Sequence, residues 1–382
     1  MQRSPTVLLV LAMLFLAPLV PSASAQGTLS TQGFGYPPGG LSTRAAATGG
    51  ATAPFDPVST ANPAALSSWG GTALYVQYSP EFRSVSVPGG SDHETISRFP
   101  LAAAAVGVGT RATLGLSAST FLDRTWQTAL SAFQHGNQGD STQYTETFSV
   151  NGAINDIRLA AAYEIIPALR IGVAGHVYTG ENRLDVTRTF VDSNFASFSQ
   201  HSTISYAGSA VSGGIEAEPV RGLWLAATGR LGGPITSSHG DTTLSRGYIP
   251  DSYGGAVEVT AIGGLLLAAR AEWNEWSSMR KLSVGDITGF DGWDYGVGAE
   301  ASGPSIFGAS APLRVGYRHR ILPFGVGSNE VTENAVSAGL GIPIAGDRSR
   351  LDLGVERASR SAASVNGSEH GWTISAGLFI RP

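Results

Sequence analysis

The chain contains no cysteine. This absence excludes disulfides, thiol catalysis and zinc–thiolate sites, and it fits an oxidising compartment. Beyond the first 25 residues, no stretch approaches the 18 consecutive apolar residues that indicate a membrane-spanning helix. If the chain crosses a membrane, it therefore crosses with strands. The net charge is −5, and no basic patch indicates a nucleic-acid partner.

Glycine, in contrast, is abundant, with 50 residues in a chain of 382. So much glycine is unsuited to a helical protein. A curved sheet uses glycine where its backbone bends and where its interior has to stay open. The length and composition favour a single β-barrel of moderate size.

Apolar and polar residues alternate along many short segments. Between residues 265 and 274 every odd position is apolar, whereas the later even positions are Arg270, Glu272 and Asn274. A strand turns successive side chains to opposite faces, so one face of this segment suits hydrocarbon and the other suits water. A soluble sandwich and a membrane barrel both produce this pattern, and alternation alone does not separate them.

Three further features favour a membrane barrel. Trp and Tyr lie near the ends of the apolar faces, as in the aromatic belts of membrane proteins. The polar faces carry charges and glycines where an ordinary sheet would place Ser or Thr. Tight turns alternate with connections of ten residues or more, which is the asymmetry of outer-membrane barrels.

We therefore predict an all-β fold, a transmembrane antiparallel β-barrel of about 14 strands. An even number of strands places both termini on the periplasmic side. The predicted strands are residues 73–83, 95–109, 111–123, 142–166, 168–190, 202–218, 221–236, 247–261, 264–277, 291–303, 312–322, 331–343, 349–359 and 370–380.

The first 25 residues have the pattern of a secretion signal. Arg3 supplies the positive charge, residues 7–17 form a short apolar run, and Ala23-Ser24-Ala25 is a cleavage site that leaves Gln26 as the first residue. A membrane anchor is the alternative, but an apolar run of about eleven residues is too short to span. The pattern predicts export to the outer membrane of a Gram-negative-type bacterium.

Residues 26–72 do not follow the alternation and are rich in small residues. An exposed linker is one explanation. A plug is the other, because a barrel of about 14 strands lies between eight-stranded barrels filled by side chains and 16-stranded barrels with an aqueous channel. The sequence thus predicts a signal peptide at 1–25, an N-terminal lumen hatch at 26–72 and the barrel at 73–382.

Two short motifs in this region resemble the hatch of the FadL-type long-chain fatty acid transporters. The first is Arg44-Ala45-Ala46-Ala47-Thr48-Gly49-Gly50-Ala51, and the second is Asn62-Pro63-Ala64-Ala65-Leu66, with Asp56 in the spacer. The resemblance assigns six residues to the hatch motif: Arg44, Gly49, Gly50, Asn62, Pro63 and Ala64. The signal, the motif and the strand number together extend the resemblance over nearly the whole chain.

The resemblance implies passive uptake of long-chain fatty acids or similar hydrophobic compounds. In that family the substrate binds at the outer loops, passes to a pocket in the lumen, and leaves as the hatch shifts and a kinked third strand opens the wall. This chain departs from the family at two points. Asp56 stands alone where the family often has an acidic pair, and residues 113–123 of the third strand show no kink signal.

The same residues have a direct physical interpretation. Asn62 before Pro63 starts a turn. Gly49 and Gly50 permit close packing inside a narrow lumen. Arg44 is either solvated or paired with a lumen carboxylate, for which the candidates are Glu272, Glu300 and Glu356.

Polar and apolar groups point to different ligands. The predicted lumen-facing residues suit a polar solute or a carboxylate headgroup, and they are Arg158, Arg230, Arg270, Glu272, Glu300, Arg314 and Arg318. Phe190, Phe195 and Phe198 in a predicted outer loop suit the docking of an apolar ligand, or else pack between loops.

No catalytic or metal-binding pattern is evident. The seven histidines are scattered without ligand spacing, and no nucleophile elbow is present. We therefore expect neither an enzyme nor a cofactor. The expected partners of this monomeric barrel are a hydrophobic small molecule or lipid and the lipids of the outer membrane. Two alternatives stay open, a PorV-type scaffold or shuttle barrel of protein secretion and a polar-solute porin.

Overall fold

The computed structural model of the chain describes residues 34–87, 90–135, 141–282, 289–306, 309–326, 329–344, 349–363 and 367–381. The signal peptide predicted at 1–25 and the first residues of the predicted hatch lie outside these ranges. Within the described ranges, no helix has the length and apolar character needed to cross a membrane.

Twenty strands make up most of the described chain. They are β1 (Ala73–Tyr78), β2 (Glu81–Val87), β3 (Gly90–Ile96), β4 (Leu101–Val108), β5 (Ala112–Asp123), β6 (Trp126–His135), β7 (Ser141–Ile166), β8 (Leu169–Phe190), β9 (Phe198–Val220), β10 (Leu223–His239), β11 (Thr242–Tyr248), β12 (Ser252–Thr260), β13 (Leu266–Asn274), β14 (Gly292–Ala301), β15 (Ser305–Ile306), β16 (Ala309–Ser310), β17 (Leu313–Val326), β18 (Asn329–Ile344), β19 (Ser349–Ala362) and β20 (Ser368–Ile380). β15 and β16 form a separate small hairpin.

The main sheet closes into a barrel. β1 pairs antiparallel with β20, from Leu74 opposite Ile380 to Tyr78 opposite Ala376, and it pairs with β4 on its other side. The circuit continues through β5, β7, β8, β9, β10, β12, β13, β14, β17, β18 and β19. The predicted antiparallel barrel of 14 strands is confirmed. Closure gives the backbone partners on both sides, which hydrocarbon requires.

The remaining strands prolong the barrel at one end. β2 follows β1, β3 precedes β4, β6 follows β5 and β11 precedes β12. β7, β8 and β9 reach the same end with 26, 22 and 23 residues, whereas a tilted membrane strand needs about 9–11. We call this the distal end, and we call the end that carries Ala73 and Ile380 the terminal end.

At the distal end, many residues that were predicted to form long loops form paired strands instead. β2 pairs with β3, β6 with β7, and β11 with β10. β6 and β11 were not predicted, because beyond the membrane neither face of a strand has to be apolar. Pairing with a neighbouring strand is enough to satisfy the backbone there. At the terminal end, the turns at 109–111 and 167–168 are tight, as predicted. A third tight turn lies at 221–222, two residues later than the predicted strands 202–218 and 221–236 place it.

The two faces of the wall differ in polarity. On the outer face, Leu159 and Val173 are each 65% exposed, whereas the inner-face residues Arg314 and Asp352 are 2% and 1% exposed. Apolar side chains thus point away from the barrel, and charged ones point into it. A soluble protein shows the reverse order, and a membrane barrel shows this one.

Aromatic side chains form part of a belt around the outer face. Tyr253, Trp273 and Trp293 occupy paired positions on three successive strands, β12 to β14. On the other side of the barrel Phe82 pairs with Trp372, and both side chains are exposed. Tyr and Trp prefer the membrane–water interface, so this belt marks one boundary of the hydrocarbon.

The outer face can be tested at Val315, which is 59% exposed on β17 between Ala299 and Ala338. We expect Val315→Arg to lower the free energy of unfolding in lipid vesicles by about 2–4 kcal/mol, because it places a charge in hydrocarbon. Denaturant titration measures this effect. Val315→Leu keeps the site apolar and should change stability little. Equal stability of the two variants would contradict a lipid-facing position.

Candidate functional site

Residues 34–72, which we call the N-terminal segment, lie inside the barrel. Gly49 N donates to Ser337 Oγ on β18 at 3.0 Å. Thr228 Oγ1 on β10 donates to Ala61 O at 3.0 Å. These strands are well separated around the barrel, so the segment crosses the lumen between them.

One buried carboxylate holds the middle of the segment together. Helix α1 (Thr43–Ala46) begins at Ser42, whose Oγ accepts from Ala45 N at 3.1 Å. Asp56 is 2% exposed and accepts from Ser42 Oγ at 2.5 Å and from Ser59 Oγ at 2.6 Å. Hydrogen bonds to a carboxylate are stronger than neutral ones. Asp56 therefore fixes the loop that follows α1 against the start of that helix.

The Asn-Pro-Ala motif begins a 3-10 helix, Pro63–Trp69. Asn62 Oδ1 accepts from Ala64 N at 3.0 Å, which caps the helix and makes the predicted turn. The motif lies directly on the wall. A Cβ atom added at Gly214 would lie 1.9 Å from Asn62 Oδ1, and one at Gly172 would lie 2.3 Å from the carbonyl carbon of Pro63. Glycine on β8 and β9 makes this approach possible.

The Gly49-Gly50 pair lies equally close to the opposite part of the wall. Gly49 has a φ of +64° and Gly50 a φ of +78°, a backbone conformation that favours glycine. A Cβ atom at Gly49 would lie 2.4 Å from Tyr317 O, and one at Gly316 would lie 2.0 Å from the carbonyl carbon of Thr48. Backbone therefore packs on backbone at this contact.

Arg44 joins the segment to the wall by a bidentate ion pair. Its Nε and Nη2 donate to Glu300 on β14 at 2.9 and 3.1 Å. Glu300 also accepts from Arg314 Nε at 2.7 Å, and Arg314 Nη1 donates to Asp352 at 2.6 Å. Burial lowers the pKa of Arg44, but the neighbouring carboxylates, Glu300 foremost, together outweigh burial and raise the pKa above its ordinary value. Among the three carboxylates that the sequence offered, Glu300 is the partner.

Tyr36 anchors the beginning of the segment. Three guanidinium groups surround its ring, those of Arg98, Arg320 and Arg360, at 5.0, 4.9 and 4.5 Å from the centroid. Each contact has cation–π geometry. Tyr36 Oη donates to Glu333 Oε2 at 3.0 Å. Burial raises the pKa of Tyr36, so the hydroxyl keeps its proton.

These arginines belong to a buried ion-pair network that the sequence analysis did not identify. Arg360 contacts Glu81 at 2.7 Å and Glu333 at 2.6 Å. Arg98 contacts Glu81 and also Asp123, the latter at 2.5 Å. Strand alternation assigns Glu333 and Arg360 to an inner face, but it does not show which charges meet there.

The third barrel strand is interrupted between β5 and β6. Its register against β7 shifts between Thr120 and Leu122. Asp123 then pairs with Tyr36 through two backbone hydrogen bonds of 2.8 and 2.7 Å. The sequence of residues 113–123 shows no signal for this irregularity. β5 and β6 both stay paired with β7, so only the partner on the other edge changes, from β4 to Tyr36. The strand's own sequence contains no sign of that partner.

A seam in the wall follows from this interruption. β4 and β5 pair from Leu101 opposite Ser119 to Val108 opposite Ala112. Toward the distal end, within the described residues, β3 pairs only with β2 and β6 only with β7. Phe99, where β3 leads into β4, is 76% exposed.

A cavity of about 140 Å³ lies between the N-terminal segment and the wall. Most of its wall residues are polar and include Asp156, His176, Ser212, Arg230, Arg270 and Arg318. Phe121 and Trp276 supply apolar surface. The cavity thus combines charged groups with aromatic rings.

Asp156, His176 and Ser212 form a chain of hydrogen bonds across β7, β8 and β9. His176 Nδ1 lies 3.0 and 2.9 Å from the two oxygens of Asp156, and Nε2 lies 2.8 Å from Ser212 Oγ. This is the order of a Ser-His-Asp triad. However, Ser212 is paired in the sheet on both sides, with Ala174 and Arg230. The strand backbone at Ser212 is therefore committed to the sheet instead of forming an oxyanion hole. No metal-holding group of His, Asp and Glu occurs in the described part of the chain.

The architecture is similar to that of several solved structures. The chain matches a FadL homologue from Pseudomonas aeruginosa with a TM-score of 0.62 and 10% identity, over 91% of this chain and 99% of that one. It has the FadL fold. The CymD monoaromatic hydrocarbon channel matches with a TM-score of 0.55 and 12% identity, over 90% and 98% of the two chains.

The toluene transporter TodX of Pseudomonas putida matches with a TM-score of 0.54 and 13% identity, over 89% of this chain and 97% of that one. No protein-family model and no curated protein matches the sequence.

The seven arginines and glutamates predicted to face the lumen all lie on the inner face of this FadL barrel, and most are paired. Arg270 contacts Glu272 at 3.3 Å and Asp294 at 2.9 Å. Arg318 contacts Glu333 at 3.3 Å and Glu356 at 3.2 Å.

Arg158 and Arg230 differ from this pattern. Arg158 is 4% exposed, and its Nε and Nη2 have no hydrogen-bond partner in the described part of the chain. Arg230 Nε donates to Pro250 O at 3.1 Å, and its guanidinium lies 5.5 Å from the ring centroid of Phe121.

The three phenylalanines come together at the distal end of the FadL barrel. Phe190 ends β8 and Phe198 begins β9, so these two residues belong to strands and only Phe195 lies in the loop between them. Phe190 packs on Phe195 with centroids 5.4 Å apart. Arg188 lies over the rings of Tyr144 and Phe198 at 4.3 and 5.3 Å. The three phenylalanines and Tyr144 form an aromatic cluster that does not line the lumen cavity.

Removal of residues 27–68 tests whether the N-terminal segment closes the FadL barrel. We expect the shortened barrel to assemble, because sheet closure satisfies its backbone. In planar bilayers it should conduct ions steadily, whereas the full chain should stay nearly closed. The shift between folded and unfolded bands on a gel checks assembly. Equal conductance of the two proteins would show that the segment does not block the lumen.

Proposed function

We propose that this chain is an outer-membrane channel for the passive uptake of hydrophobic compounds. In this proposal residues 1–25 direct export, residues 26–72 are the hatch, the distal end faces the outside and the terminal end faces the periplasm. The observation that supports it most is the N-terminal segment packed across a barrel of the FadL fold. A toluene transporter and a monoaromatic hydrocarbon channel share that fold.

The interior offers a route for such compounds. One buried apolar cluster contains Phe34, Phe121, Trp276, Met279 and Leu282. Phe121 and Trp276 also line the cavity, so apolar surface continues from this cluster into it. From the cavity a compound leaves sideways through the seam between β3 and β6, or toward the periplasm when the hatch shifts. The interruption of the third strand supports the sideways exit that the resemblance implies.

The cavity volume favours small substrates over long acyl chains. It is about 140 Å³, close to the roughly 150 Å³ of an engineered cavity in another protein that binds benzene. One ring fills such a space. A long-chain fatty acid would extend far beyond it, so single-ring compounds are the better candidates while the hatch is in place.

A polar-solute porin is the second candidate, and the polar lining of the cavity favours it. The two functions differ in the closed state. A porin has a lumen that stays open to water, whereas the proposed channel conducts ions only after the hatch is removed.

An engineered disulfide tests whether the hatch has to move. A Cβ atom at Gly354 on β19 would lie 3.8 Å from Ala47 Cβ, which is the mean separation in disulfides. The chain has no other cysteine, so Ala47→Cys with Gly354→Cys yields one defined bond. In intact Gram-negative cells without their own FadL-type channels, we expect the unmodified protein to take up labelled toluene faster than the empty vector. Oxidation of the double variant should abolish most of this gain, and a reductant should restore it.

Ala47→Cys alone is the control, and oxidation should not affect it. Labelled palmitate, measured in parallel, separates small substrates from long acyl chains. If the unmodified protein takes up neither compound faster than the vector, the proposed function is wrong. If the locked protein transports at the normal rate, the hatch does not need to move.

A further inference from the structure

The lining of the cavity combines two aromatic rings with polar side chains. Phe121 and Trp276 lie on it as a stacked pair, with ring centroids 5.6 Å apart and planes at 28°. Aromatic walls of this kind pack on a flat ring. The rest of the lining is largely polar, which a channel for pure hydrocarbons does not require.

Ser212 contributes a hydroxyl group to the cavity lining. His176 Nδ1 lies 3.0 and 2.9 Å from the two oxygens of Asp156, and Nε2 lies 2.8 Å from Ser212 Oγ. A serine oxygen has two lone pairs, so at least one stays free whether Ser212 donates to His176 or accepts from it. That lone pair can accept a hydrogen bond from a ligand. The partner that fits is a ligand O–H.

The cavity also supplies donors. Arg318 and Arg320 line it and are 4% and 5% exposed. A guanidinium group forms charge-assisted hydrogen bonds with a ligand oxygen, and a hydrocarbon has no such oxygen.

We propose that this cavity is a binding site for single-ring compounds that carry a hydroxyl group, the phenols. The ring packs on Phe121 and Trp276, and the hydroxyl donates to Ser212. The inference rests on the proposed function for the route to the cavity, and it names the class of compound that the cavity selects.

Phenol and toluene test the inference as a matched pair, because they share a ring and differ by a hydroxyl in place of a methyl group. An apolar cavity would prefer toluene, which loses no hydrogen bonds to water on entry. We expect the purified full chain to bind labelled phenol at least tenfold more tightly than labelled toluene in equilibrium dialysis, the factor that one hydrogen bond supplies. Tighter binding of toluene would overturn the inference, and so would equal binding.

Ser212→Ala should weaken phenol binding roughly tenfold and leave toluene binding unchanged. The matched control is Ser117→Ala, since Ser117 is also buried and faces inward, on β5, but does not line the cavity. An unchanged phenol affinity in Ser212→Ala would exclude Ser212 as the acceptor and overturn the inference. The phenol and toluene comparison uses the unmodified protein, so it decides the matter even if a variant does not fold.

The outcome for this site is distinguishable from the outcome for the proposed function. Uptake of toluene without selective phenol binding leaves the channel function in place and removes only the inferred site. The opposite result is selective phenol binding by the purified protein together with no uptake of either compound by the cells. That result supports the site and contradicts the channel function.

Discussion

Closure of the sheet is the constraint on which the rest of this molecule depends. Because β1 pairs with β20, the strands within the membrane have backbone partners on both sides. Closure at 14 strands also creates a lumen wider than that of the eight-stranded barrels that wall side chains alone can fill. The N-terminal segment fills the part of this lumen that the side chains of the wall do not reach. The barrel therefore determines both the polarity of its inner face and the need for a segment inside it.

Ionic contacts hold that segment in place. Arg44 pairs with Glu300 near α1, and Tyr36 lies among three arginines near the beginning of the segment. Loss of one partner from a buried ion pair costs about 3–5 kcal/mol, although such a pair contributes little net stability compared with apolar packing. The contacts therefore specify a position more than they add stability. Beyond Arg44, backbone packs on backbone where Gly49 meets Tyr317 and Gly316 meets Thr48. Such an interface is compatible with displacement of the segment.

The sequence predicts best those features that depend only on neighbouring residues, such as the bounds of individual strands. Residues 168–190 were predicted as a strand and Leu169–Phe190 is one; residues 370–380 were predicted and the strand is Ser368–Ile380. The interruption at Asp123 was missed because its cause lies in Tyr36, far away in the sequence. The chain of Asp156, His176 and Ser212 was also missed. The turn at 167–168 does not by itself set the register of β7 and β8, because a bulge between Glu164 and Ile166 shifts it by one residue. The shifted register places Arg158 opposite His176 and hence Asp156 diagonal to His176.

The barrel class and the two faces of the wall follow from the sequence alone. They depend on alternation with a period of two, on the number of alternating segments and on the lack of long apolar runs, all of which are read along the chain. Which charges meet, where the third strand loses its pairing with β4 and what lines the cavity all depend on the tertiary structure. The physical reason is that periodicity records only which side of its own strand a residue faces. Contacts across the lumen also depend on the register of every strand between the two partners and on the path of the N-terminal segment.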